Sequence, residues 1–84
     1  MRAVFVMVKC DMGQAYNVAQ AAADEIPQLS EIHSISGQYD LLAKFYLAAE
    51  QDVGRFVTEQ VQKLAGVKDT YTLIGFNAFT PGRG

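Results

Sequence analysis

Near the middle of the chain, Gly37, Tyr39 and Asp40 place a flexible backbone, an aromatic hydroxyl and a carboxylate within one short turn. Such a set suits recognition of a small zwitterion. A carboxylate takes an ammonium through a charge-assisted hydrogen bond. Backbone N–H groups around a glycine can take the opposing carboxylate, because no Cβ blocks close approach. Asp40 has a second reading, as a turn residue that bonds its own backbone. Tyr39 fits a subunit contact better than a lid over a ligand. Thr70 and Thr72 stand two apart and face the same way on a strand, so both hydroxyls could reach one ligand. Threonine is also simply a good strand residue.

Other chemistry is sparse. His33 is the only histidine, with no second histidine and no cysteine nearby, so a metal site is not expected. Its only possible acid/base partners are Glu31 and Asp40. Cys10 is the single cysteine; it cannot form an internal disulfide, fits a reducing compartment, and reads as a packed thiol. No cofactor and no catalytic residue are expected.

The elements that must position the turn follow from apolar periodicity. Residues 3–10 are almost continuously apolar and β-rich, the pattern of a strand buried on both faces. Asp11 is the expected N-cap of a helix over 14–25, whose Ala15, Val18, Ala19, Ala22 and Ile26 share one stripe. Pro27 ends it. Strands are expected over 29–36 and 41–49, joined by the link 37–40 as an antiparallel hairpin. Asp52 caps a second helix with a stripe of Val53, Phe56, Val57, Val61 and Leu64, and Gly66 takes the position after it. The last strand is expected over 67–79, with 80–84 as a frayed tail. The order βαββαβ gives an α+β, ferredoxin-like arrangement: a four-stranded antiparallel sheet with two helices on one face.

With 84 residues the chain is read as one domain, half of it apolar and therefore globular. The first apolar run, about five or six residues, is too short for a signal peptide and reads as a mature first strand. No apolar run suffices for a membrane span. A cytoplasmic protein is expected. The net charge of −2 and scattered lysines and arginines give no footprint for nucleic acid.

Two helices cover only one face of such a sheet, yet both faces are apolar. Val4, Val6 and Val8 oppose Phe5 and Met7. Leu42 and Tyr46 oppose Ala43, Phe45 and Leu47. Ile74, Phe76 and Ala78 oppose Tyr71, Leu73 and Phe79. An uncovered apolar face of that size implies a second copy packed against it, around a two-fold axis.

The combination of Ile26-Pro27-Gln28-Leu29-Ser30-Glu31-Ile32, Ser36-Gly37-Gln38-Tyr39-Asp40-Leu41-Leu42, Phe56-Val57, Leu64-Ala65-Gly66-Val67 and Thr70-Tyr71-Thr72-Leu73-Ile74 resembles the effector domain of the Lrp/AsnC transcription regulators, also called the RAM domain. The resemblance runs from about residue 3 to 79. It implies the βαββαβ fold, sheet-to-sheet dimers that associate into larger rings such as octamers, and small effectors, chiefly amino acids, bound in clefts between dimers. By position it implies a ligand site of Gly37, Gln38, Tyr39 and Asp40, with Thr70 and Thr72 from the last strand. Regulators of that family carry an N-terminal helix-turn-helix domain, whereas this sequence starts at the effector domain's first strand and so resembles the stand-alone type. Expected partners are therefore an amino acid, other copies of the chain and full-length family regulators, without direct DNA binding. Two rival readings share the topology. One is a dimeric α/β-barrel enzyme of the monooxygenase or isomerase kind, with an enclosed cavity in each subunit. The other is an ACT-like regulatory module.

Overall fold

In a computed structural model of the chain, which describes residues 1–82, strand β1 (Arg2–Cys10) is followed by helix α1 (Ala15–Glu25) and strands β2 (Leu29–Ser34) and β3 (Leu41–Leu47). Helix α2 then starts at Val53–Phe56 and continues through a wider π-helical turn, Val57–Val61, before strand β4 (Val67–Ile74). The strands form one antiparallel sheet in the order β2-β3-β1-β4. This is the ferredoxin-like α+β fold that the sequence pattern implies.

The register assigns the strand residues to two faces. Val4, Val6 and Val8 lie opposite Phe45, Ala43 and Leu41 on β3, and opposite Ile74, Thr72 and Thr70 on β4. This inner face packs against Val18 and Ala22 of α1 and against Phe56, Val57 and Val61 of α2, forming the buried core. Phe45 meets Phe56 edge to face at 5.0 Å between centroids, a geometry that aligns a ring's positive edge with its neighbour's negative face. The outer face carries Phe5 and Met7 of β1, Leu42, Lys44 and Tyr46 of β3, and Tyr71 and Leu73 of β4. The two-faced division read from alternation holds for β1, for β3 and for Tyr71, Leu73 and Ile74 of β4, whereas Phe76, Ala78 and Phe79 lie beyond the end of that strand.

Helix ends obey capping chemistry in one case and not in the other. Asp52 caps α2, its Oδ1 accepting from the Arg55 N–H at 3.0 Å. Asp11 does not cap α1. A turn through Met12 and Gly13 intervenes, Gln14 takes the cap position, and the Asp11 N–H instead donates to the Gly66 carbonyl at 2.8 Å. The π-helical turn, marked by the Gln62 N–H donating to the Val57 carbonyl at 2.8 Å, keeps both Val57 and Val61 facing the core. Three strands stop earlier than expected: β2 at Ser34, β3 at Leu47 and β4 at Ile74. The hairpin link is accordingly 35–40 rather than 37–40. Strand β4 cannot extend to 79, because its one neighbour among the described residues, β1, begins at Arg2. The last ladder bond is Gly75 N–H to the Ala3 carbonyl, 2.9 Å. Of the expected tail 80–84, the last two residues lie outside the described part of the chain. Among the described residues no helix is long and apolar enough to cross a membrane.

Candidate functional site

Asp40 sits where the β2–β3 hairpin meets the end of β1, and three hydrogen bonds hold it there. Its N–H donates to the Val8 carbonyl at 2.9 Å, and its carbonyl accepts from the Ile35 N–H at 2.9 Å. Its Oδ2 accepts from the Cys10 N–H at 2.8 Å. The ladder between β1 and β4 slips by a residue at Lys9/Cys10, and the Asp40 carboxylate takes up a backbone donor at that slip. Asp40 is thus neither a simple turn residue bonding its own hairpin nor a carboxylate free of structural work. One oxygen, Oδ2, anchors the end of β1, and the residue also borders the space beside it.

What lies beside it is an open groove of about 540 Å³, lined by Lys9, Cys10, Met12, Tyr16, Lys68 and Asp40, among others. That volume is within the usual range for small-molecule sites. Its walls combine both charges: the carboxylates of Asp40 and Asp11, the ammonium groups of Lys9 and Lys68, and a phenol from Tyr16. Lys9 also steadies the hairpin, its Nζ donating to the Gln38 carbonyl at 3.2 Å. Burial pushes the Cys10 thiol above its ordinary range, and the negative charges of Asp40 and Asp11 push it further the same way. The thiol is therefore held neutral and unreactive within the groove wall.

The rest of the hairpin faces elsewhere. Gln38 and Tyr39 line a second groove of about 440 Å³ together with Met7, Ile35, Ser36 and Tyr71. The Tyr39 and Tyr71 rings stack with centroids 6.1 Å apart. This groove opens on the outer face of the sheet, where Met7 and Tyr71 are cross-strand partners. Gly37 lines neither groove; its φ of +117° explains the glycine, since a side chain there would be strained.

Thr70 and Thr72 also line neither groove. Both lie on the inner face, opposite Val8 and Val6, and the Thr70 hydroxyl accepts from Gln62 Nε2 at 2.8 Å. Within one chain the structure therefore does not bring them to Asp40. His33 pairs with Glu31 at 3.4 Å on the edge strand, both side chains more than half exposed, and it lines neither groove. Sequence reading missed Lys9 and Lys68, which counted among the scattered lysines, and Tyr16, which drew no reading. The signal was indirect: the topology pairs the start of β3 with the end of β1.

Comparison with known proteins places this site in context. The family model described as the Lrp/AsnC ligand binding domain matches residues 3–84. An uncharacterized HTH-type transcriptional regulator of Pyrococcus abyssi is 31% identical over 75 residues, 87% of this chain and 50% of the relative. The chain thus spans about half the length of the curated relatives it matches. Among solved structures, TTHA0845 from Thermus thermophilus superposes with a TM-score of 0.84 and 31% identity, covering 96% of this chain and all of that one. The regulator NMB0573 of Neisseria meningitidis, crystallised with L-Met, shares the fold at a TM-score of 0.80 and 16% identity, over 95% of this chain and 53% of its own.

Proposed function

The chain belongs to the Lrp/AsnC ligand-binding domain family, and from that premise we propose that it is a non-catalytic amino-acid sensor whose ligand controls how copies of the chain assemble. The groove beside Asp40 carries this reading. An amino acid is a zwitterion with a variable side chain. Asp40 Oδ1 suits its ammonium, Lys9 or Lys68 its carboxylate, and Met12 and Tyr16 its side chain. The same fold in the Neisseria meningitidis regulator holds L-Met, which agrees with a ligand of this class.

The remaining expected site residues fit an assembly better than a single chain. Gly37, Gln38 and Tyr39 project the hairpin toward a neighbouring subunit. Thr70 and Thr72 contact ligand in this reading only where another subunit supplies them. The outer face of the sheet receives a second copy, because Phe5, Met7, Tyr46, Tyr71 and Leu73 make it apolar and no helix covers it. Dimers then associate into larger rings, an octamer being the expected size. Effector binding favours one assembly state by its differential affinity for that state. In this reading the domain acts on transcription in the cytoplasm through its assembly with other copies and with full-length regulators of the family.

The test is thermal unfolding against the twenty amino acids. An effector at a hundred times its Kd raises stability by about 2.7 kcal/mol. Asp40→Asn keeps an acceptor for the Cys10 N–H but removes the charge, so it loses the response while keeping the fold. A panel without any shift refutes the sensor reading.

A further inference from the structure

Beyond Ile74 the chain leaves the sheet but does not leave its outer face. Gly75 passes so close to β1 that an added Cβ would lie 3.2 Å from the Phe5 ring and 3.2 Å from the Ala3 carbonyl oxygen. Residues 75–78 then form one wall of a groove of about 300 Å³. Its other walls include Phe5, Lys44 and Tyr46, with the Lys44 ammonium 5.8 Å from the Phe5 centroid and 5.0 Å from the Tyr46 centroid. The groove thus offers two aromatic rings and a cation that favours a further ring. The segment forming the wall carries two phenylalanines, Phe76 and Phe79, that are 94% and 93% exposed. The two rings are left almost wholly uncovered by their own subunit.

We infer that residues 75–79 form a docking arm, exchanged between two copies of the chain so that the phenylalanines of each arm enter the Phe5–Lys44–Tyr46 groove of the other. This rests on the sheet-face dimer proposed above and names the segment that fastens it. Three observations favour a second copy over another partner. The groove needs an aromatic occupant that its own arm, being its wall, does not supply, and the arm of an identical subunit carries one. Under a two-fold axis the exchange is reciprocal and closes, leaving neither arm nor groove unfilled. The area also fits. Two phenylalanines from each copy bury about 600–1,000 Å², and the outer face, which is continuous with the groove at Phe5 and Tyr46, supplies the rest of the roughly 1,600 Å² of a stable interface.

The experiment is sedimentation equilibrium of the wild type and of Phe76→Ser/Phe79→Ser, with circular dichroism confirming that each is folded. The substituted side chains make almost no contact within one subunit, so the variant should fold as the wild type does. Its dimer should dissociate about 100-fold more readily, as expected for the loss of aromatic anchors. A cross-link locates the contact. In a Cys10→Ser background, chains carrying Phe76→Cys are mixed with chains carrying Tyr46→Cys and oxidised. Disulfide-linked heterodimers should form faster than with Cys placed at the exposed Asp24. If the double variant dimerises as tightly as wild type, or no preferential heterodimer forms, the arm does not dock there and the inference is overturned, while the sheet-face dimer stands. If the wild type is itself monomeric at about 100 µM, the sheet-face dimer falls and the arm with it.

Discussion

The two faces of the sheet are built from the same strands and from similar apolar residues, yet they end in different states. On the inner face Val4, Val6, Phe45 and Leu47 are almost completely buried beneath the helices. On the outer face Tyr46, Tyr71 and Leu73 retain 40–52% of their exposure. The difference does not come from composition. It comes from which side the two crossover helices occupy, and they can occupy only one. The inner face buries its side chains within one subunit; the outer face leaves Tyr46, Tyr71 and Leu73 half exposed. A chain of this size, with a core this limited, gains from a partner that seals the second face.

Substitutions on the two faces should therefore fail in different ways. The largest effect is expected from Phe45→Ala. It removes a fully buried ring that packs on Phe56 and should cost about 3–5 kcal/mol. Denaturant unfolding should show that loss at every protein concentration, since it lies within one subunit. Leu73→Asp is the outer-face counterpart. Its charge remains hydrated in an isolated subunit, so far-UV circular dichroism should be unchanged. A dimer, however, would have to bury that charge unpaired, so sedimentation should show association weakened by about 100-fold or more. A Leu73→Asp variant that unfolds outright would erase the distinction between the faces.

Asp40 sharpens the comparison at the sheet's edge, where structure and proposed function meet. Asp40→Ala leaves the Cys10 N–H without its acceptor and should cost about 1–3 kcal/mol. Asp40→Asn should recover much of that stability but none of the amino-acid response. The smallest effect is expected at Cys10. Its thiol is raised in the folded chain, chiefly by burial and then by Asp40 and Asp11. A raised folded value means that the stabilising contribution is complete below the ordinary thiol range and is lost as pH rises through the folded value. Stability should fall at alkaline pH, and Cys10→Ala should flatten that part of the pH profile measured by thermal unfolding.

Most of the fold was legible because it depends on local pattern. Alternation divided β1, β3 and β4 into their two faces, Pro27 ended α1, and Asp52 capped α2 as its side chain suits. What escaped was set by distant neighbours. Asp11 had the right chemistry for a cap, but the turn through Met12 and Gly13 sets it three residues ahead of the cap position at Gln14, and its N–H is tied to the Gly66 carbonyl. The stripe of Val57 and Val61 looked α-helical, and spacing alone cannot distinguish a π-helical turn that keeps both inside. The run from Val67 to Phe79 looked like one strand, yet a strand is only as long as its partner: in this register Arg2, the first residue of β1, stands opposite Phe76, and β1 has nothing for residues 77–79 to pair with. At the site the hairpin was visible in Gly37 and Asp40. The groove beside it was not, because Lys9, Tyr16 and Lys68 come from three separate segments. The expected grouping with Thr70 and Thr72 is not formed within one chain.

That the outer face exists to receive a second copy is tested most directly by sedimentation equilibrium of the unmodified chain, from about 1 to 100 µM. One chain weighs 9.2 kDa. The expected result is a mass of twice that value or an even multiple of it, reduced to a single chain by Leu73→Asp. A mass of 9.2 kDa throughout the range would contradict it.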